Sequence, residues 1–222
     1  MSIDLVKNYM TERTNIDEII FCNNDLSDNL YEKYKSSQYL AVDTEAMGLV
    51  HGRDRLCLIQ ICNEFKLTSC IKIDKGICEA SNLKILFENK NILKIFHFAR
   101  FDVATLKANL KINTQNIFCT KIASKLARTY TNKHGLKDLI YEMLDVELDK
   151  TSQSSDWGNQ DNLSQEQINY AANDVRYLIN AMQKLNIILK RENRYDLAQK
   201  CFEAIAVHSE LDINHDSNIF EH

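Results

Sequence analysis

The sequence predicts a mixed α/β fold, an α+β arrangement in which a central mixed sheet is flanked by helices. Compact apolar runs of strand length occur at Tyr39 to Val42, Leu56 to Cys62, Phe65 to Ile73 and Ile92 to Phe96. From about residue 100 the apolar side chains recur with the helical period instead, and strands first with helices mostly after imply a sheet covered by helices. Size agrees: 222 residues, 45% hydrophobic and 26% charged, can bury one good core but hardly two large ones.

Taken in order, residues 1–17 are polar and form an expected N-terminal extension, with 18–222 as a single domain. A weak strand at Glu18 to Cys22 precedes a helical stretch from Leu26 to Lys35, and the four apolar runs follow. Val103, Leu106 and Leu110 mark one helix, and Leu136, Leu139, Ile140, Met143 and Leu144 another. The best-defined helix start is at Ser164, which can cap while Gln167 returns the bond, with Leu163 and Ile168 as a hydrophobic staple. From there a helical pattern runs with little interruption through Ala172, Val175, Leu178 and Ile179 towards Ala206.

The 27 Lys and Arg against 31 Asp and Glu give a net charge of -4. No chain-wide basic field therefore draws the protein onto long nucleic acid, and such a substrate must be short or held by a local patch. The seven cysteines lack zinc-site C-x-x-C spacing and sit mostly in apolar runs, so they read as buried reduced thiols. With no signal peptide and no run of 18 apolar residues, the expected location is the cytoplasm, away from membranes. Proline is absent, which carries no functional reading.

Three short segments carry chemistry. In Tyr39 to Glu45 strand alternation puts Asp43 and Glu45 on one side, and two carboxylates so fixed repel unless a divalent cation joins them. Alone, the pair reads more plainly as solvated acids at a strand end. Ile92 to Asp102 runs a strand into a helix whose first turn carries Asp102, an ordinary place for an acid, but His97 and Arg100 beside it can both meet phosphate. In Tyr170 to Asp174 the i, i+4 spacing puts a phenol and a carboxylate on one helix face, which by itself is a surface hydrogen bond. Together, carboxylates from separate elements with one group to orient water meet the needs of two-metal phosphodiester hydrolysis. Hard cations, Mg²⁺ or Mn²⁺, suit this oxygen set.

With those residues in order, the chain resembles the ribonuclease D branch of the DEDD 3′-to-5′ exonucleases, the subclass with tyrosine in its third motif. The matching segments are Val42 to Glu45, Asp54 to Ile61, Lys94 to Asp102, Ser154 to Trp157 and Tyr170 to Leu178. Within that branch it is most similar to the oligoribonuclease-like nanoRNase C group. That likeness lies in Glu45 to Leu49, His51 to Cys57, Phe96 to Asp102, Cys119 to Leu126, Arg128 to Thr131, His134 to Lys137 and the tail Ile219 to His222. Two departures, residues 1–17 and Ala99 in place of a more usual glycine, touch no metal ligand.

The resemblance implies a ribonuclease H-like fold and two divalent cations, Asp43 bridging both, Glu45 and Asp174 on one and Asp102 supporting the other. It implies that Tyr170 orients the attacking water or accepts its proton, and that Leu49, just after the first motif, wedges against bases at the 3′ end. Thr44, His97 and Arg100 would contact substrate near the scissile bond. Lys121, Lys125, Arg128, Tyr130, Lys133 and His134 would hold a 5′ phosphate, although such a charge run also reads as a solvated helix face. Ser155, Asp156 and Trp157 would brace the loop before the last helices. The expected substrate is very short RNA, dinucleotides above all, the alternatives being 3′-end trimming of longer RNA or single-stranded DNA, or a catalytically inactive binding module. The group also implies a homo-oligomer, an octameric ring.

Overall fold

A computed structural model describes residues 19–148, 156–159, 163–216 and 219. The expected N-terminal extension, Ser154, Ser155 and the tail beyond Ile219 lie outside these residues. Among the described residues the chain runs β1 (Ile19–Asn23), α1 (Asp28–Tyr34), β2 (Tyr39–Ala46), β3 (Leu56–Asn63), β4 (Thr68–Lys72), α2 (Ser81–Glu88), β5 (Leu93–Phe96) and α3 (Ala99–Leu110). It continues through β6 (Ile117–Cys119), α4 (Thr120–Ala127), α5 (Leu136–Leu144), α6 (Gln165–Arg176), α7 (Leu178–Arg191), α8 (Tyr195–Glu203) and α9 (Ile205–Ile213).

The strands form one mixed sheet in the order β1-β4-β3-β2-β5-β6. β2 and β4 lie antiparallel to β3, while β1 joins β4, β5 joins β2 and β6 joins β5 in parallel. β3 is buried along its whole length, as a central strand must be when helices cover both faces. α6 lies over β2, β3 and β4, α7 packs against β2 and β5, and α9 packs along α3. The central mixed sheet flanked by helices is thus as the sequence predicts.

Four local differences have identifiable causes. β4 begins at Thr68, not Phe65, because the Asn63 side-chain oxygen accepts from the amides of Phe65 (3.1 Å) and Leu67 (3.0 Å) and Lys66 takes a left-handed φ of 66°. The long C-terminal helical pattern breaks into α6 to α9, at Tyr177, at the turn holding Asn193 (φ 52°) and at Ala204. β6 pairs through just three residues, Lys94 with Ile117, Ile95 with Phe118 and Phe96 with Cys119, too few to show alternation. α2 buries only Leu83, Leu86 and Phe87.

Candidate active site

β2 delivers the first two acids. Asp43 and Glu45 alternate onto one face of the strand, and the ladder to β3 shifts between Glu45 and Ala46, so the strand bends as it leaves the sheet. α6 brings the third. Its start is fixed by a full capping box, in which Ser164 accepts from the Gln167 amide at 3.2 Å and Gln167 accepts from the Ser164 amide at 2.8 Å. Asp43, Glu45 and Asp174 then place one ligand oxygen each within 4.8 Å of one another, and all three are half-buried. Tyr170 stands one turn before Asp174 on the same face of α6, close enough for its phenol to feel the charges of Asp174, Glu45 and Asp43.

Asp102 takes a different place. It sits 3% exposed in the first turn of α3 and accepts from the Thr44 hydroxyl at 2.7 Å. It lies outside the three-carboxylate group but close enough for its charge to act on Glu45 and to feel that of Asp43. The Thr44 hydroxyl is therefore committed to holding an acid, and Thr44 itself is buried.

The protein's own charges make this cluster unfavourable. Burial pushes Asp43 up to about 7 and, with Asp43 beside it, Asp174 up to about 8. Burial followed by repulsion from Asp43, Asp174 and Asp102 pushes Glu45 up to about 10. Asp102 is also raised, by burial and then by Asp43. The Tyr170 phenol is raised by burial and by the same acids, so it keeps its proton at neutral pH. An all-oxygen donor set whose burial and mutual repulsion a divalent cation would relieve fits a hard cation.

The remaining expected contacts fall into groups. Leu49 is 79% exposed at the tip of a closed loop, where the Asp54 carboxylate accepts from the Val50 amide (3.0 Å) and pairs with Arg53 (2.7 Å). A Cβ on Gly48 would stand 2.3 Å from that carboxylate, so a larger residue there would push the Asp54 side chain aside. His97 Nδ1 meets the Thr120 hydroxyl at 2.9 Å, and that hydroxyl donates its one proton to the Phe96 carbonyl at 3.1 Å. Burial and Lys121 push the ring down to about 4, so it is neutral.

Arg100 forms a two-point ion pair with Asp212 on α9, both contacts 2.5 Å. Lys121 stands over the Phe98 ring at 4.3 Å, and Lys125 is exposed. Phe98 and Arg100 divide two cavities, one of about 430 Å³ reaching Leu49 and one of about 340 Å³ reaching Lys121 and Lys125. Tyr130 is 70% exposed and donates to Glu142, and His134 Nδ1 meets Ser124 Oγ at 2.9 Å.

Arg128 requires a correction. Its side chain is 0% exposed, and its guanidinium is taken up by Glu142, Ser124 and the Lys133 carbonyl. It braces α4 against α5 and offers no face to a phosphate. Trp157 is 4% exposed, 6.5 Å from the Tyr170 ring, and Arg55 ties its loop to β3 by donating to the Gly158 carbonyl at 3.2 Å. Asp156 is exposed and accepts from the Gly158 amide at 3.0 Å. Asp212 has no signal in the sequence as a partner of Arg100, lying 112 positions away.

A sheet of this order carrying such a cluster has clear relatives. The family model described as 3′-5′ exonuclease matches residues 18–190, and the chain belongs to that family. Among solved structures the chain is similar to Brucella melitensis NrnC, with 44% identity and a TM-score of 0.87 over 92% of this chain and 98% of that one. A structure of Brucella melitensis NrnC with bound Mg²⁺ matches at 43% identity and TM-score 0.85 over 92% of this chain and 98% of that one. Another, bound to pGG, matches at 44% and 0.86 over the same shares. Ribonuclease D of Sphingobium indicum is 32% identical over 171 residues, 77% of this chain and 43% of that protein. The chain thus spans less than half the length of the curated relatives it matches. Among the described residues no helix is long and apolar enough to cross a membrane.

Proposed function

We propose that this protein is a two-metal 3′-to-5′ exoribonuclease that hydrolyses very short RNA, dinucleotides above all, to mononucleotides. The observation that carries the reading is the convergence of Asp43, Glu45 and Asp174 to within 4.8 Å, with Asp102 behind them. Asp43, Glu45 and Asp174 would hold the cations, with Asp102 completing the set from α3. Bound there, divalent cations supply Lewis-acid stabilisation of the transition state and raise the acidity of water. The Tyr170 phenol, protonated and one turn from Asp174 on α6, would meet the attacking water and orient it. Leu49, held out on its closed loop, wedges against the 3′ base.

The preference for very short RNA is supported by the net charge of -4, which leaves no extended cationic track for long strands, and by the pGG complex of the Brucella relative. Ribonuclease D relatives favour a second reading, trimming of longer RNA 3′ ends. Comparing hydrolysis of a 5′-labelled dinucleotide with that of a 20-nucleotide RNA, in Mg²⁺ and Mn²⁺, separates the two. The dinucleotide reading requires the shorter substrate to be consumed faster, and a rate that climbs with length contradicts it. No disulfide joins the seven cysteines, which accords with a reducing, cytoplasmic setting. The assembly we propose is a homo-oligomer, a ring of eight, which light scattering of the eluted protein would weigh directly.

A further inference from the structure

Gln60 is 0% exposed, yet neither its Nε2 nor its Oε1 has a hydrogen-bond partner. An orphaned buried amide costs stability, and such groups recur in native proteins where function requires them. Its place in the sheet suggests the function. On β3, Gln60 is directly opposite Asp43 of β2 and opposite Cys70 of β4. Residues so opposed on antiparallel strands point to the same face, with Cβ atoms about 4.5–5.5 Å apart. Leu58 and Cys70 on that face pack with Ala171, Ala172 and Trp157, so the Gln60 carboxamide lies under α6, between the helix that carries Asp174 and the strand that carries Asp43.

We infer that Gln60 is a positioning residue for the cation site, its unpartnered Nε2 turning to donate to the Asp43 carboxylate when a cation is bound and so fixing the direction in which that carboxylate presents its oxygens. Carboxylates that hold cations are themselves held by hydrogen bonds, and loss of such a partner costs affinity. Thr44 already does this for Asp102 at 2.7 Å. Gln60 holds the corresponding place for Asp43, directly opposite it across the β2–β3 ladder. The inference rests on the reading of the acidic cluster as a cation site.

The test sets cation affinity against stability in Gln60→Leu, which keeps the side chain's bulk and removes both polar atoms. Calorimetric titration with Mn²⁺ should show a dissociation constant roughly 10–100-fold weaker than wild type. In chelator the same variant should melt a few degrees higher, about 2–4 °C for each kcal/mol recovered from the orphaned atoms. A residue that only packs would do the reverse: unchanged Mn²⁺ affinity with a lower melting temperature overturns the inference. Asp43→Ala, run alongside, tells the two levels apart. Impaired binding there with wild-type binding in Gln60→Leu sinks the role of Gln60 alone, whereas wild-type binding in Asp43→Ala sinks the cation site itself. Should Gln60→Leu not fold, the ¹⁵N side-chain amide resonance of Gln60 in the wild-type protein decides. Displacement on adding Mg²⁺ supports the bond, and an unmoved resonance removes it.

Discussion

Asp43, Glu45 and Asp174 are each held where a lone carboxylate prefers to be neutral, and that cost is the clearest mark of what the site is for. Asp43→Asn should therefore raise the melting temperature in chelator while abolishing Mn²⁺ binding, measurable by thermal melts and calorimetry on one sample. Tyr170→Phe removes the oxygen that orients water but no cation ligand. Its kcat should fall about 10²-fold with Mn²⁺ affinity unchanged; a matching loss of affinity would show that the phenol acts on the metal site instead. These residues are legible in the sequence because each pair shares an element: two positions apart on a strand, four apart on a helix. Arg128 and Gln60 are not legible in the same way. Arg128 looks like part of a solvated charge run until α5 folds back and Glu142, 14 positions on, neutralises it. Gln60 sits inside an apolar strand segment, and only the register opposite Asp43 gives it meaning.

At the scale of elements, the site depends on how firmly α6 starts, because Tyr170 and Asp174 lie in its second and third turns. Ser164→Ala removes half the capping box and should cost about 1 kcal/mol, a melting shift of about 2–4 °C. The α4–α5 brace is a larger matter. Arg128→Ala leaves Ser124 and the Lys133 carbonyl without the guanidinium and Glu142 with Tyr130 alone, and should cost about 1–2 kcal/mol, read by urea unfolding, with dinucleotide turnover unchanged below the melting range. Capping and apolar periodicity make the start of α6 and the long strands legible, while the breaks between α6, α7, α8 and α9 are not, since Ala204 and Tyr177 remain in helical backbone conformation as caps. β6 and α2 are likewise hidden, the one being three residues long and the other burying few side chains.

Across the whole molecule, the raised acids couple folding to pH and to cations. Their folded values lie above the ordinary carboxylate value near 4, so the folded state binds more protons than the unfolded chain between the two. Stability in chelator is then greatest at low pH and falls as pH rises, the loss being complete only above about 7 for Asp43, about 8 for Asp174 and about 10 for Glu45. Melting temperature in chelator should decline from pH 6 to pH 9, and Mn²⁺ should raise it more at pH 9, where the ligands are already deprotonated. A chelator melting curve flat with pH would disagree with the electrostatics of the cluster. The most direct measurement is single-turnover hydrolysis of a 5′-labelled dinucleotide in Mn²⁺ by wild type and by Asp43→Ala at equal concentration. The account predicts rapid release of mononucleotide by the wild type and a rate lower by about 10³-fold or more in the variant. Equal rates from the two proteins would contradict it.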